Sequence, residues 1–159
     1  MPLTIKAADL NNRDHQEQVV ALLDLYSRDA MGNNAPLPAA IRNELVDGLR
    51  RHPASLVLLA WDAERCVGLS ICFEGFSTFQ ARPLLNIHDL VVHPEFRNRG
   101  IGRALLAAVE AAAAARHCCR ITLEVRADNA AAQHLYRASG FGEAQPRMHF
   151  WHKAIRPGA

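Results

Sequence analysis

The stretch that most constrains this chain lies between residues 84 and 116. An apolar run over 84–92 ends at His93-Pro94, and the turn Arg97-Asn98-Arg99-Gly100-Ile101-Gly102 leads into an Ala/Leu-rich helical pattern over 100–116. A strand that passes through a glycine-bearing turn into a helix must lay that helix back over its own sheet. The small face of 104–115 suits that role, because alanine is the strongest helix former and needs little room. A layered sheet-and-helix architecture follows.

The flanking segments extend the same plan. Residues 120–125 read as a strand and 129–139 as a helix closed by Gly140. Upstream, 55–61 and 66–73 are apolar runs about a turn at 62–65, which is a hairpin pattern, and 75–83 reads as a loop. Two helices precede them. Residues 13–30 put Val19, Leu22, Leu23, Tyr26 and Ala30 on one face, with Asn12 or Asp14 as the cap. Residues 39–51 carry Ile41, Leu45 and Leu49 and stop before Pro53. A final strand over 148–155 completes the order α-α-β-β-β-α-β-α-β, to which a short strand at 3–7 is added in front. The expected class is α/β (α+β), a mixed sheet with helices on its faces.

At 159 residues this is one domain over 1–159, large enough to bury a core without staples. Eighteen basic against sixteen acidic residues is too even a balance to argue for nucleic acid or a membrane surface. No apolar run approaches the roughly 18 residues of a span, and the N-terminus lacks the core of a signal peptide. Cys66, Cys72, Cys118 and Cys119 form no C-x-x-C pair, so neither a zinc site nor a disulfide framework is expected. Reduced, mostly buried thiols and a cytoplasmic location follow. His149 and His152 fall on opposite sides of a strand, and His117-Cys118-Cys119 lacks ligand spacing, so no metal is expected. That trio follows a helix and suits capping its carbonyls.

The turn at 97–102 has chemistry of its own. A helix N-terminus leaves N–H groups unpaired and carries partial positive charge. Glycines let that backbone approach an anion, and Arg97, Arg99 and Arg103 add charge. The Lys-Ser/Thr pair of a P-loop is missing. So are the third glycine and downstream acid of a dinucleotide fold, where Leu105, Arg120 and Ile121 stand instead. A phosphate cradle and a plain helix start both remain open on these residues alone.

Two longer patterns narrow the choice. The run from Leu90 to Leu106 contains [QR]-x-x-G-x-[GA] after a strand. The run from Asn129 to Phe141 reads N-x-x-A-x-x-x-Y-x-x-x-G-F. Together they resemble motifs A and B of the GNAT superfamily of acyl-CoA-dependent N-acyltransferases, over about residues 83–141. The resemblance implies acetyl-CoA as cosubstrate and no metal. It implies that the amides of Arg97, Asn98, Arg99, Gly100, Ile101, Gly102 and Arg103 hold the pyrophosphate. It implies that the main chain of Leu90, Val91 and Val92 pairs with the pantetheine arm, in a gap between that strand and the next. Asn129 would meet the pantetheine region, and Tyr136 would protonate the departing thiolate. A tyrosine near pKa 10 is protonated at neutral pH and suits that task. Packing beneath Phe141 is the other reading of Tyr136. The oxyanion would find a main-chain N–H near Val91.

The acceptor side is less defined. Phe76-Ser77-Thr78-Phe79 and Leu85-Asn86-Ile87-His88-Asp89-Leu90 look like the polyamine and thialysine acetyltransferase subgroup, with Asn86 for its tyrosine and His88 for its glutamate. Strand alternation puts Asn86, His88 and Leu90 on one face and Ile87 and Asp89 on the other. His88 is either the base, with a reference pKa near 6.5, or a half-buried structural histidine. Asp89 either binds the acceptor or ties down a bulge. Glu74, Asp29 and Glu124 are further acids near the expected cleft, and Arg82 would suit an acceptor carboxylate.

The leading expectation is an N-acetyltransferase acting on a small primary amine by direct attack in a ternary complex. A non-catalytic acyl-CoA sensor and a protein lysine or N-terminal acetyltransferase are the alternatives. A homodimer is expected from the tail, where Phe150 and Trp151 stand ready to pair across subunits.

Overall fold

The computed structural model describes residues 2–155. The elements run β1 (Thr4–Ala7), α1 (Arg13–Arg28), α2 (Ala39–Arg51), β2 (Ser55–Asp62), β3 (Arg65–Ser77), β4 (Arg82–Val92), α3 (Ile101–Ala115), β5 (Ile121–Leu123) and α4 (Ala130–Ala138). They build a mixed sheet in the order β1-β2-β3-β4-β5. The first four strands pair antiparallel, and β5 lies parallel to β4. A parallel pair needs a crossover, and α3 supplies it.

β2 and β3 read as nearly continuous apolar runs because the sheet is covered on both faces. On one face Leu58, Leu85 and Ile87 pack with Leu105 and Val109 of α3. On the other, Val57, Leu59, Leu69, Ile71 and Val91 pack with Val19 and Leu22 of α1 and Leu49 of α2. Gly68 lets α3 come close: a Cβ there would sit 3.0 Å from Leu105 Cδ1 and 3.1 Å from the Val91 carbonyl oxygen.

Caps follow the residue chemistry. Asn12 accepts from the amides of Asp14 and His15 at the start of α1. At the end of α3, His117 adopts φ +56°. Its N–H reaches the Ala114 carbonyl and that of Cys118 reaches Ala113, both at 3.0 Å, a Schellman closure in which backbone rather than the imidazole satisfies the helix end.

Four expectations need correction. The segment 75–83 is not a loop. β3 and β4 continue through the pairs Gly75↔Leu84, Phe76↔Pro83 and Ser77↔Arg82, because ladder partners outweigh the turn-like composition. The strand expected over 120–125 is only Ile121–Leu123, so Glu124 lies just past its end. Cys66 and Cys72 are buried, but Cys118 and Cys119 are only partly so. No strand forms over 148–155, where Met148, Phe150, Trp151 and Ile155 are exposed. Alternating hydrophobicity supplies a period, but a segment becomes a strand only where it is paired to another.

Candidate active site

The turn between β4 and α3 is shaped by two left-handed residues, Asn98 at φ 62° and Gly100 at φ 80°. Such reversals fan successive N–H groups toward one side, a concavity suited to an anion. The first helical bond runs from Ala104 N–H to the Gly100 carbonyl at 3.0 Å, so the amides of Ile101, Gly102 and Arg103 precede the ladder. The space where a Gly100 side chain would stand is open. The backbone thus fits a pyrophosphate.

The flanking arginines do other work than simple charge supply. Arg97 donates to Asp29 at 2.8 Å and to the Val92 carbonyl at 3.3 Å, tying the turn to the end of α1. Arg99 lies over the Phe96 ring, 4.8 Å from its centroid. Arg103 lies on the first turn of α3 and is exposed.

Beside the turn the sheet parts. β4 and β5 pair only through Leu85↔Ile121, Asn86↔Thr122 and Ile87↔Leu123, while β4 continues to Val92. The main chain of Leu90, Val91 and Val92 therefore has β3 on one side and, among the described residues, no strand on the other. The parting begins at a bulge. Asp89 sits opposite Ile71 and Ile87 opposite Cys72, which leaves His88 as the additional residue.

The bulge overturns the expected alternation of faces. Ile87 and Leu90 both pack toward α3, and Asp89, across from Ile71, lies on the α1/α2 face. His88 is exposed, with its ring 5.5 Å from that of Phe73. Asp89 is the more enclosed of the two. Burial pushes its carboxyl above the ordinary value, and His88 partly offsets that.

Tyr136 projects from α4 and packs edge-on against Phe141 at 5.9 Å. Burial, then the nearby Tyr26, pushes its phenol up to about 12. Asn129 is the N-cap of α4 and accepts from Ala132 N–H at 3.1 Å. Tyr26 was legible only as a core position on α1. Its phenol is raised by burial and then by the charge of Asp89, with Arg126 opposing and Asp29 adding to the rise. It therefore feels three groups, from β4, the segment after β5 and the residue that ends α1. Its place on the apolar face of α1, three residues before Asp29, was its sequence signal.

Other candidates fall elsewhere. Arg82 donates to the His117 carbonyl at 3.0 Å, and Glu74 faces Arg116 at 3.6 Å, both at the C-terminal end of α3. The candidate cleft is at the N-terminal end, roughly 22 Å away for a helix of this length. Their expected place near the cleft is thus corrected. Glu124 is exposed just beyond β5. Among the described residues no metal-ligand cluster occurs, and no helix is long and apolar enough to cross a membrane.

Comparison with known proteins points one way. The profile of the Acetyltransferase (GNAT) family matches residues 19–141. A [Ribosomal protein bS18]-alanine N-acetyltransferase from Salmonella typhimurium strain LT2 is 40% identical over 65 residues, which are 41% of this chain and 44% of that protein. The chain thus matches less than half the length of that curated relative. A thialysine N-epsilon-acetyltransferase of Bos taurus is 32% identical over 74 residues, 46% of this chain and 43% of that one. The likeness therefore does not single out a polyamine or thialysine subgroup. The crystal structure of a probable acetyltransferase superposes with a TM-score of 0.81 at 23% identity, covering 99% of this chain and 100% of the other, which is a likeness of fold.

Proposed function

Because the chain belongs to the GNAT family of acetyltransferases, we propose that it moves the acetyl group of acetyl-CoA to a primary amine of a small molecule, by direct attack in a ternary complex. The observation that carries this reading is the parting of β4 and β5 beside an anion-shaped turn. The amides from Arg97 to Arg103 take the pyrophosphate, and the free side of Leu90–Val92 takes the pantetheine arm. Membership in the family implies acetyl-CoA use, and the thioester supplies the activated acyl group.

The amine nitrogen attacks the thioester carbonyl carbon, and the oxyanion accepts from a main-chain N–H near Val91. The carbon–sulfur bond then breaks. Tyr136, held protonated across the working pH range, gives its proton to the thiolate. The amine proton goes to Asp89, whose raised carboxyl is the stronger base for its burial, or through water to the exposed His88. Proximity does most of the remaining work, since neither a metal nor a covalent intermediate enters this route.

A second acceptor class has specific support. The resemblance to the bS18-alanine enzyme favours the α-amino group of a protein as an alternative. Both are tested by following coenzyme A release over diamines, amino acids, aminoglycosides, a lysine peptide and a peptide with a free N-terminal alanine. Wild type and Tyr136→Phe run together, with mass spectrometry of products. Turnover on one class, weakened in the variant, supports the reading and names the acceptor. Turnover unaffected by the variant removes the acid. Binding of acetyl-CoA without turnover on any amine favours a sensor.

A further inference from the structure

The loop after α1 is irregular yet densely bonded. Ser27 is buried and donates to the Ala35 carbonyl at 2.7 Å, and its own carbonyl takes the amides of Asn33 and Ala35 at 2.9 and 3.2 Å. The Gly32 amide reaches the Asp29 carbonyl at 2.9 Å, and the Leu37 amide reaches the Asp24 carboxylate at 2.8 Å. Gly32 is pressed so closely on the helix that a Cβ there would stand 2.1 Å from the Tyr26 carbonyl oxygen. Residues 29–37 therefore form one body with the last turns of α1. Among the described residues, a single hydrogen bond joins that body to the turn between β4 and α3, and it is the one from Arg97 to Asp29.

The two carboxylate oxygens of Asp29 divide the work. Oδ1 accepts from the Met31 N–H at 2.9 Å, inside the loop, and Oδ2 accepts from Arg97 Nη2 at 2.8 Å, across 68 positions of sequence. Arg97 in turn donates through Nε to the Val92 carbonyl at 3.3 Å, at the end of the strand that borders the gap. Deeper in the loop the Tyr26 hydroxyl lies 3.5 Å from the Met31 carbonyl oxygen. Tyr26 also shares a charge field with Asp89 and with Tyr136. We infer that Asp29 is a positioning residue: it latches the 29–37 loop, and Tyr26 with it, to the pyrophosphate turn, so that filling the turn steadies the wall beside the groups that move protons. The inference rests on the reading of that turn as a coenzyme A cradle. Its physical basis is entropy. Arg97 is half-exposed, and in an unfilled turn each closure of its pair with Asp29 must immobilise a long side chain. A turn held by pyrophosphate has already met that cost, so Asp29 then binds a guanidinium that is in place. One carboxylate thus passes the state of the cofactor turn to the acceptor side, with no shift of the main chain required.

The test is amide hydrogen exchange of the full chain, read residue by residue by NMR, without and with saturating coenzyme A. In the wild type, coenzyme A should slow the amides of 97–103 and also those of Met31, Gly32, Asn33 and Ala35, the latter by up to about fivefold, the most that a part-exposed ion pair is worth. Asp29→Asn keeps an oxygen for the Met31 N–H and gives up the charge. It should keep the slowing over 97–103 and lose that over 31–35. Arg97→Gln leaves every bond within the loop intact and should lose the same distant response, which a purely structural role of Asp29 inside the loop would leave standing. Arg82→Ala, at the opposite end of α3, should respond as the wild type does. Slowing over 31–35 that survives either variant at position 29 or 97 overturns the inference. So does a response lost equally in Arg82→Ala, or a wild type in which 97–103 slow and 31–35 do not. A wild type in which neither segment slows removes the coenzyme A reading, and the latch with it.

Discussion

β4 is held very differently on its two sides. Toward β3 it makes ten pairs, from Gly68↔Val92 to Ser77↔Arg82; toward β5 it makes three. The long ladder joins residues buried to 0% exposure, such as Leu69 and Leu85, so its change of register is the only irregularity it tolerates. The short ladder stops where β4 still has five residues to run. One flank therefore supplies rigidity and the other an opening, and the same strand presents backbone to both. A binding gap built this way inherits its precision from the paired side.

The largest expected effect tests the open flank. Tyr136→Phe should lower kcat by about 10²–10⁴-fold, the usual worth of a positioned proton donor, with little change in acetyl-CoA affinity by calorimetry. An unchanged kcat would make Tyr136 a packing residue beneath Phe141. On the closed flank, Leu105→Ala should cost about 2–5 kcal/mol in urea unfolding, since Leu105 is fully buried. Gly68→Val should cost about 1–3 kcal/mol, because the Val91 carbonyl beneath it is backbone and cannot move aside.

Charge substitutions sharpen the contrast at smaller scale. Asp29 is held below the ordinary carboxylate value by the Met31 N–H and then by Arg97. Its contribution is fully present above the unfolded value of 3.8 and is lost as pH falls through its depressed value. Asp29→Asn should cost no more than about 1 kcal/mol, as expected of a partly exposed pair, yet raise KM for acetyl-CoA through the loosened turn. Asp89 has the opposite sign. Burial raises it, so its ionisation opposes folding as pH rises, and Asp89→Asn should make the protein more stable at neutral pH while removing the alkaline-rising limb of kcat/KM. The smallest effect is expected at the far end: Arg82→Ala should lose about 0.5–1.5 kcal/mol with the His117 carbonyl and leave every kinetic constant as it was. A changed acceptor KM there would break the distinction between the two ends.

The layers of the fold were legible because their signals are local. α2 spans the residues its periodicity marked, and the turn from Arg97 to Gly102 announced itself through its glycines. What escaped depended on partners distant in sequence. The bulge at His88 exists because Ile71 and Cys72 of another strand set its register. The Arg97–Asp29 bond spans 68 positions. Tyr26 looked like one more apolar residue of α1 until the fold put Asp89 and Tyr136 within reach of its charge field. The tail carries apolar side chains in a strand-like pattern yet pairs with no strand among the described residues.

The additional residue in β4 has an evolutionary consequence. Because Asp89 stands opposite Ile71 and Ile87 opposite Cys72, loss of the single codon for His88 would keep the register and the faces of both halves of the strand and remove only the local kink. The gap beside Leu90–Val92 would lose the bend at which it opens. Point substitution at position 88 keeps that bend, so descendants of this chain are free to change what stands there and not whether something stands there.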